Sequence, residues 1–192
     1  MKAISLPEAF KVDLVSIAEP NMGKDEVLIE LRYVGLCGSD LNSFRGLSPM
    51  VVYPRIPGHE VSGIVVAKGS GTPFSIHEGQ RVTVSPYSNC GKCSACGSGR
   101  INACQFNQTL GVQRDGALTE RIALRHDKVF ASSILSKQEL ALVEPLSVGY
   151  RRQPRSGDEQ RCCFDSRLRD HRPAGRRGGR GQGRHGHWAR RG

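Results

Sequence analysis

The chain has 192 residues and a formal net charge of +10, with 28 Lys and Arg against 18 Asp and Glu. The excess lies beyond Tyr150, where 13 of the basic residues and only 4 of the acidic ones are found. A nucleic acid or anionic membrane partner is therefore suggested for that segment alone, since residues 1–150 are nearly neutral.

Neither a signal peptide pattern nor a run approaching the roughly 20 apolar residues of a membrane-spanning helix is found in the sequence. Seven cysteines in such a chain fit a reducing compartment better than a secreted disulfide framework. We therefore expect a cytoplasmic protein with no membrane partner.

Residues 1–150 show alternating or short apolar runs separated by Gly and Pro turns, which is typical of β-strands. Four strands are predicted, over residues 27–34, 61–67, 80–84 and 118–124. The predicted fold is mainly β, with a barrel-like body.

One short helix is expected near the end of this body. Ser136 and Glu139 have the spacing of a capping box, and an apolar run over residues 140–143 follows them. The helix should end near Pro145.

Residues 151–192 have a different character. Arg and Gly dominate, lysine is absent, and Leu168 is the only branched aliphatic residue. Such a segment cannot bury enough apolar surface to offset the entropy of ordering, so we expect residues 151–192 to be a disordered tail.

Four cysteines stand at spacings of three, three and eight: Cys90, Cys93, Cys96 and Cys104. Four thiolates on one short loop can form a closed tetrahedral shell around Zn²⁺, and such shells are structural. The alternative is a pair of disulfides or free thiols. The spacing favours a structural zinc lobe.

A second cluster is suggested by Cys37, which follows the 27–34 strand, and His59, which precedes the 61–67 strand. Asp40 and Glu60 stand beside them. Cysteine, histidine and carboxylates at strand ends can form an open zinc site. Taken singly, Cys37 could be a small buried apolar residue and His59 an ordinary loop histidine.

These residues resemble the zinc-dependent medium-chain alcohol and polyol dehydrogenases. The resemblance covers residues 1 to about 150 and rests on Gly-Leu-Cys37-Gly-Ser-Asp40, Gly58-His59-Glu60, the four-cysteine lobe and Glu144-Pro145. It implies a GroES-like β-barrel that carries the catalytic zinc, followed by a Rossmann domain that binds NAD(P).

The resemblance also implies residue roles. Cys37 and His59 would be catalytic zinc ligands, and Glu60 and Glu144 the carboxylates that complete or exchange in the shell. Asp40 would orient the histidine, and Ser39 would relay the substrate proton.

By the same resemblance, the substrate would be a polar small molecule. Glu144-Pro145 is similar to the polyol, sugar-acid and threonine dehydrogenase branches, which favours a secondary hydroxyl group. Full-length members are usually homo-oligomers.

The sequence lacks a Rossmann fingerprint, because no apolar strand leads into Gly-x-Gly-x-x-Gly. We therefore expect this chain alone not to bind NAD(P) and to be inactive. We interpret residues 151–192 as the start of a Rossmann domain translated out of frame; the alternative is a genuine low-complexity tail. A competing function is a zinc-stabilised nucleic-acid-binding protein that uses the basic tail.

Overall fold

The computed structural model describes residues 1–151. Two expectations, disorder and an out-of-frame origin, concern residues 151–192. Apart from Arg151, these residues lie outside the described part of the chain. Arg151 ends the last helix of the described part.

Seven strands make up two antiparallel sheets in the described part of the chain. β1 (Lys2–Ser5) pairs with β2 (Asp13–Ser16). The larger sheet has the order β6-β3-β4-β5-β7. Its strands are β3 (Glu26–Gly35), β4 (Glu60–Lys68), β5 (Arg81–Val84), β6 (Arg121–Arg125) and β7 (Val129–Ala131).

The mainly β prediction is confirmed, and all four predicted strands are present. The 118–124 strand begins later than predicted, at Arg121, because Thr119 forms a bridge with Ala3 of β1 instead. Among the described residues the sheets are not closed into one hydrogen-bonded circle. β1, β2 and β7 were not predicted, since three or four residues leave little room for a pattern. β5 is as short, but it was predicted from the alternating residues 80–84 that follow a Glu-Gly turn.

Alternate side chains of the larger sheet form the hydrophobic core. Val27, Val61 and Val82 are fully buried on three neighbouring strands. Each buried aliphatic side chain of this size contributes about 1.5–3 kcal/mol relative to an exposed one. The sheet is therefore a rigid base for the loops at its ends.

The helices are short. They are α1 (Gly38–Phe44), α2 (Ser94–Gly97), α3 (Lys137–Ala141) and α4 (Val143–Arg151), with 3₁₀ turns at Ile101–Ala103 and His126–Lys128. Within residues 1–151, none of these helices has the length and apolar character needed to cross a bilayer.

The predicted capping box is confirmed at α3. Ser136 accepts a hydrogen bond from the backbone N–H of Glu139, and the Glu139 carboxylate accepts one from the backbone N–H of Ser136. The predicted end near Pro145 is wrong, because α3 ends at Ala141 and Pro145 lies in the first turn of α4. Proline is tolerated there since the first N–H groups of a helix have no partner within it.

The register of β3 and β4 places the candidate site. Gly35 at the end of β3 pairs with Glu60 at the start of β4. Cys37, two residues beyond Gly35, and His59, one residue before Glu60, therefore leave the sheet at the same end. Two distant parts of the sequence are thus brought together by strand pairing.

Candidate metal centres

Cys37 was expected at a strand end, and the structure makes it the N-cap of α1 as well. Its Sγ accepts a hydrogen bond from the backbone N–H of Ser39 at 3.3 Å. The Ser39 hydroxyl lies 2.9 Å from the same sulfur and is exposed. The thiol and the hydroxyl therefore lie together at the start of the helix.

Asp40 joins the two segments that carry the sulfur and the imidazole. Its Oδ2 accepts a hydrogen bond from the backbone N–H of Cys37, and its Oδ1 accepts one from the backbone N–H of Gly58, each at 3.0 Å. The side chain is only 7% exposed. Asp40 thus fixes the separation of Cys37 and His59 through the backbone on both sides.

The two ring nitrogens of His59 face different groups. Nε2 lies 3.3 Å from Cys37 Sγ, and Nδ1 lies 3.7 Å from Asp40 Oδ1. Nδ1 is buried and has no hydrogen-bond partner. Because a small movement would let Nδ1–H donate to Asp40, this geometry leaves Nε2 available as a ligand.

Glu60 and Glu144 form a second group with His59, in which the candidate ligand atoms lie within 4.8 Å of one another. The Glu60 carboxylate lies over Gly35, where an added Cβ would be 2.1 Å from Oε2. Burial raises the pKa of Glu60; Glu144 and Asp40 add to the rise, and His59 opposes it. Two buried carboxylates beside one imidazole repel each other, and a cation bound between them would relieve this repulsion.

The donor set fits zinc. Bond lengths to sulfur and nitrogen in tetrahedral sites place those two ligand atoms about 3.6 Å apart, close to the separation of Cys37 Sγ and His59 Nε2. Cys37 and the two glutamates belong to separate groups that share His59. The thiol and the imidazole therefore form one candidate pair of ligands, and the two glutamates lie beside the same imidazole in the second group.

The four-cysteine lobe forms a second candidate centre. The sulfur atoms of Cys90, Cys93, Cys96 and Cys104 lie within 4.8 Å of one another. Cys93 and Cys104 are 4.0 Å apart, close to the roughly 3.8 Å between two sulfur ligands of tetrahedral zinc. Gly91, between the first two cysteines, has a φ of 74°, which favours glycine and allows the tight turn.

Backbone N–H groups stabilise negative charge on the lobe. Hydrogen bonds from the backbone of Cys96 and Gln105 lower the pKa of Cys93 to about 6. Burial and the neighbouring sulfur of Cys93 raise the pKa of Cys96 to about 11. Four clustered thiols cannot all ionise without a cation between them, and thiolates are the form that binds zinc.

Every residue that the sequence indicated lies in or beside one of these groups, with His59 shared between Cys37 on one side and the two glutamates on the other. Sequence reasoning missed Tyr87, whose hydroxyl donates a hydrogen bond to Glu144 Oε1 at 3.3 Å. No motif contains this pair, because the two residues lie 57 positions apart. The only signal was an aromatic residue three positions before Cys90.

Comparison with known proteins identifies the family. A model of the alcohol dehydrogenase GroES-like domain matches residues 23–134. The chain belongs to this family. The match covers both candidate centres except for Glu144, and it confirms the family expected from the sequence. Nothing in the comparisons supports the nucleic-acid-binding alternative.

Relatives of this alcohol dehydrogenase domain include sorbitol dehydrogenase of Bacillus subtilis, 40% identical over an alignment of 155 residues that covers 78% of this chain and 43% of the relative. The crystal structure of galactitol-1-phosphate dehydrogenase from Escherichia coli has a TM-score of 0.73 and 32% identity over 78% of this chain and 43% of that one. A short chain alcohol dehydrogenase from E. coli CFT073, solved with NADH, has a TM-score of 0.72 and 30% identity, with coverage of 78% and 44%.

The chain thus spans less than half the length of the relatives it matches. The relatives named above are dehydrogenases of polyols and related alcohols, which act on small molecules. A nicotinamide cofactor is bound in the structures of two neighbours, as NADH in one and as NADP in the other.

Proposed function

We propose that residues 1–150 are the zinc-binding catalytic domain of a dehydrogenase whose longer form oxidises a secondary hydroxyl group with NAD(P). The observation that carries the proposal is the 3.3 Å approach of Cys37 Sγ to His59 Nε2, with buried carboxylates beside them. A thiol and an imidazole that only contact each other need no buried carboxylates beside them, whereas a bound cation does.

In this proposal each residue has a role. Cys37 and His59 hold the catalytic zinc, and Glu60 and Glu144 complete or exchange in its shell. Asp40 orients His59 and holds its loop, and the exposed Ser39 hydroxyl relays the substrate proton. When bound, zinc would supply a Lewis acid that lowers the pKa of the substrate hydroxyl.

The substrate class follows from the donor set and the relatives. The Glu144-Pro145 pair resembles that of the polyol, sugar-acid and threonine dehydrogenases, which favours a polar alcohol. Relatives are named sorbitol dehydrogenase and L-galactonate-5-dehydrogenase. We therefore propose a polyol, sugar acid or related alcohol as the substrate, in a reducing cytoplasm where the thiols stay free to bind metal.

The nicotinamide cofactor and the oligomer belong to the longer form. Residues 1–151 contain no glycine-rich turn between a strand and a helix of the kind that binds a dinucleotide. We expect this chain alone to have no dehydrogenase activity and its full-length form to be a homo-oligomer.

The domain boundary is part of the proposal. Reading residues 151–192 one base out of register permits a strand, a Gly-x-Gly-x-x-Gly turn and a second strand ending in an acid about 20 residues later, as a nucleotide-binding unit requires. The nucleotide sequence around codon 150 tests this. An open shifted frame with the glycine pattern supports it, and stop codons there would exclude it.

The activity is tested on the chain produced after the frame is restored. We expect reduction of NAD⁺ or NADP⁺ in the presence of polyols or sugar acids, and loss of that activity in His59→Ala. A restored, folded chain that oxidises no member of such a panel would contradict the proposed function.

A further inference from the structure

Five consecutive residues join β5 to the cysteine lobe. Each of them donates or accepts a hydrogen bond with a residue distant in the sequence. We name this segment, residues 85–89, the strap. Its bonds are Ser85 N–H to Lys128 O at 2.8 Å, Leu110 N–H to Pro86 O at 3.0 Å, Tyr87 Oη–H to Glu144 Oε1 at 3.3 Å, Gln108 N–H to Ser88 Oγ at 2.7 Å, and Lys128 Nζ–H to Asn89 Oδ1 at 2.5 Å.

The strap is fixed at both ends. Pro86 is fully buried, and the next residue after the strap, Cys90, donates its backbone N–H to the sulfur of Cys104 at 3.3 Å. Lys128, which holds both Ser85 and Asn89, is itself only 9% exposed. A side chain carried by the strap therefore has a defined position relative to both the sheet and the lobe.

Tyr87 is the residue of the strap that points to the catalytic cluster, the proposed zinc site. This cluster comprises Cys37, Asp40, His59, Glu60 and Glu144. Tyr87 as a residue is 46% exposed, yet its hydroxyl reaches the carboxylate of Glu144, a residue that is 8% exposed. That carboxylate lies beside Glu60 and His59, so a hydrogen-bond donor is needed to hold it against the repulsion of a second carboxylate.

We propose that Tyr87 is a positioning residue that fixes the Glu144 carboxylate for metal binding and links the catalytic cluster to the cysteine lobe. The inference rests on the proposed function, since it assigns Glu144 to the metal shell. Ligating carboxylates are held by hydrogen bonds from neighbouring groups, and loss of such a bond weakens metal affinity.

The test uses the full 192-residue chain, loaded with one equivalent of Zn²⁺ for the lobe and then titrated with Co²⁺, whose visible absorption reports the second site. We expect Tyr87→Phe to weaken the binding of this second equivalent about 3- to 10-fold, at or below the lower limit of the roughly 10- to 100-fold loss usual for such partners, because the bond is long. The metal-free chain should keep its far-UV spectrum, and its thermal midpoint should fall by no more than the few degrees that one lost hydrogen bond costs.

The matched control is Tyr33→Phe. The Tyr33 hydroxyl accepts a hydrogen bond from Gln138 at 2.9 Å, outside both centres, so its loss should leave Co²⁺ binding unchanged. The second comparison is a double-mutant cycle with Glu144→Ala. If Tyr87 acts through Glu144, adding Tyr87→Phe to Glu144→Ala should have no further effect.

The inference is overturned if Tyr87→Phe binds the second Co²⁺ within twofold of the unmodified chain, or if it weakens binding equally in the Glu144→Ala background. A purely structural tyrosine would give that second result. If the unmodified chain binds no second equivalent at all, the proposed function fails, and the failure is visible before any variant is compared.

Discussion

At the residue scale, the cluster around His59 buries more acid than this histidine can balance. Asp40, Glu60 and Glu144 are each less than a tenth exposed and surround one imidazole. Removing an ionised carboxylate from water costs several kcal/mol unless charge or hydrogen bonds compensate. Asp40 has its two backbone donors, but Glu60 faces Glu144, and a divalent cation would relieve that repulsion.

Gly35 provides the residue-scale prediction. In Gly35→Ala the new Cβ would lie 2.1 Å from Glu60 Oε2 and 3.0 Å from Glu60 Cβ, so the carboxylate must move. We expect the second, exchangeable metal to bind about tenfold more weakly while the lobe metal is retained. Titration with Co²⁺ measures this.

The control is Gly38→Ala, because no atom lies within 4 Å of a Cβ placed there and the residue is in the first turn of α1. It should bind metal like the unmodified chain. Equal weakening by both alanines would mean that the Glu60 contact does not matter.

The sequence could predict the ligand types of both centres, since thiols, an imidazole and carboxylates have recognisable spacings. It could not predict Gly35 or Tyr87. Gly35 matters because strand register places Glu60 opposite it, and Tyr87 because the fold brings it to Glu144. Both depend on tertiary structure, which local spacing does not encode.

At the element scale, the capping box of α3 should contribute measurably to stability. Ser136→Ala removes the acceptor for the Glu139 backbone N–H, and we expect a loss of about 1 kcal/mol in the free energy of unfolding. Denaturant unfolding measures this. Ser133→Ala, at an exposed position outside the box, should change the free energy by less than about 0.5 kcal/mol.

The contribution of the box depends on pH. Hydrogen bonds from the backbone and the side chain of Ser136 lower the pKa of Glu139, so its stabilisation is present at neutral pH. It is lost as the pH falls through that lowered pKa. The cost of Glu139→Gln should therefore shrink in acid, and a cost independent of pH would argue against an ionised cap.

The long strands gave the clearest patterns, although the short β5 and β6 were predicted as well. β3 and β4 have nine or ten residues, enough for an apolar pattern to be recognised. α1 was missed because its N-cap is a cysteine, a residue that is not among the usual helix caps. The division into α3 and α4 was missed because the apolar run spans their junction.

At the scale of the whole molecule, we expect the two candidate metal centres to differ in purpose. The lobe is a closed set of four thiols on one loop, so its metal should contribute to folding. The Cys37 and His59 centre lies at the end of a sheet whose core is already packed. Its metal should therefore be exchangeable without loss of the fold.

The most direct test is metal analysis of the purified chain and of two variants, with far-UV spectra and thermal midpoints. The account predicts two zinc ions per folded chain and one in a folded His59→Ala variant. Cys93→Ser should lose solubility and stability. A folded chain without zinc, or equal destabilisation by His59→Ala and Cys93→Ser, would contradict the division into a catalytic and a structural centre.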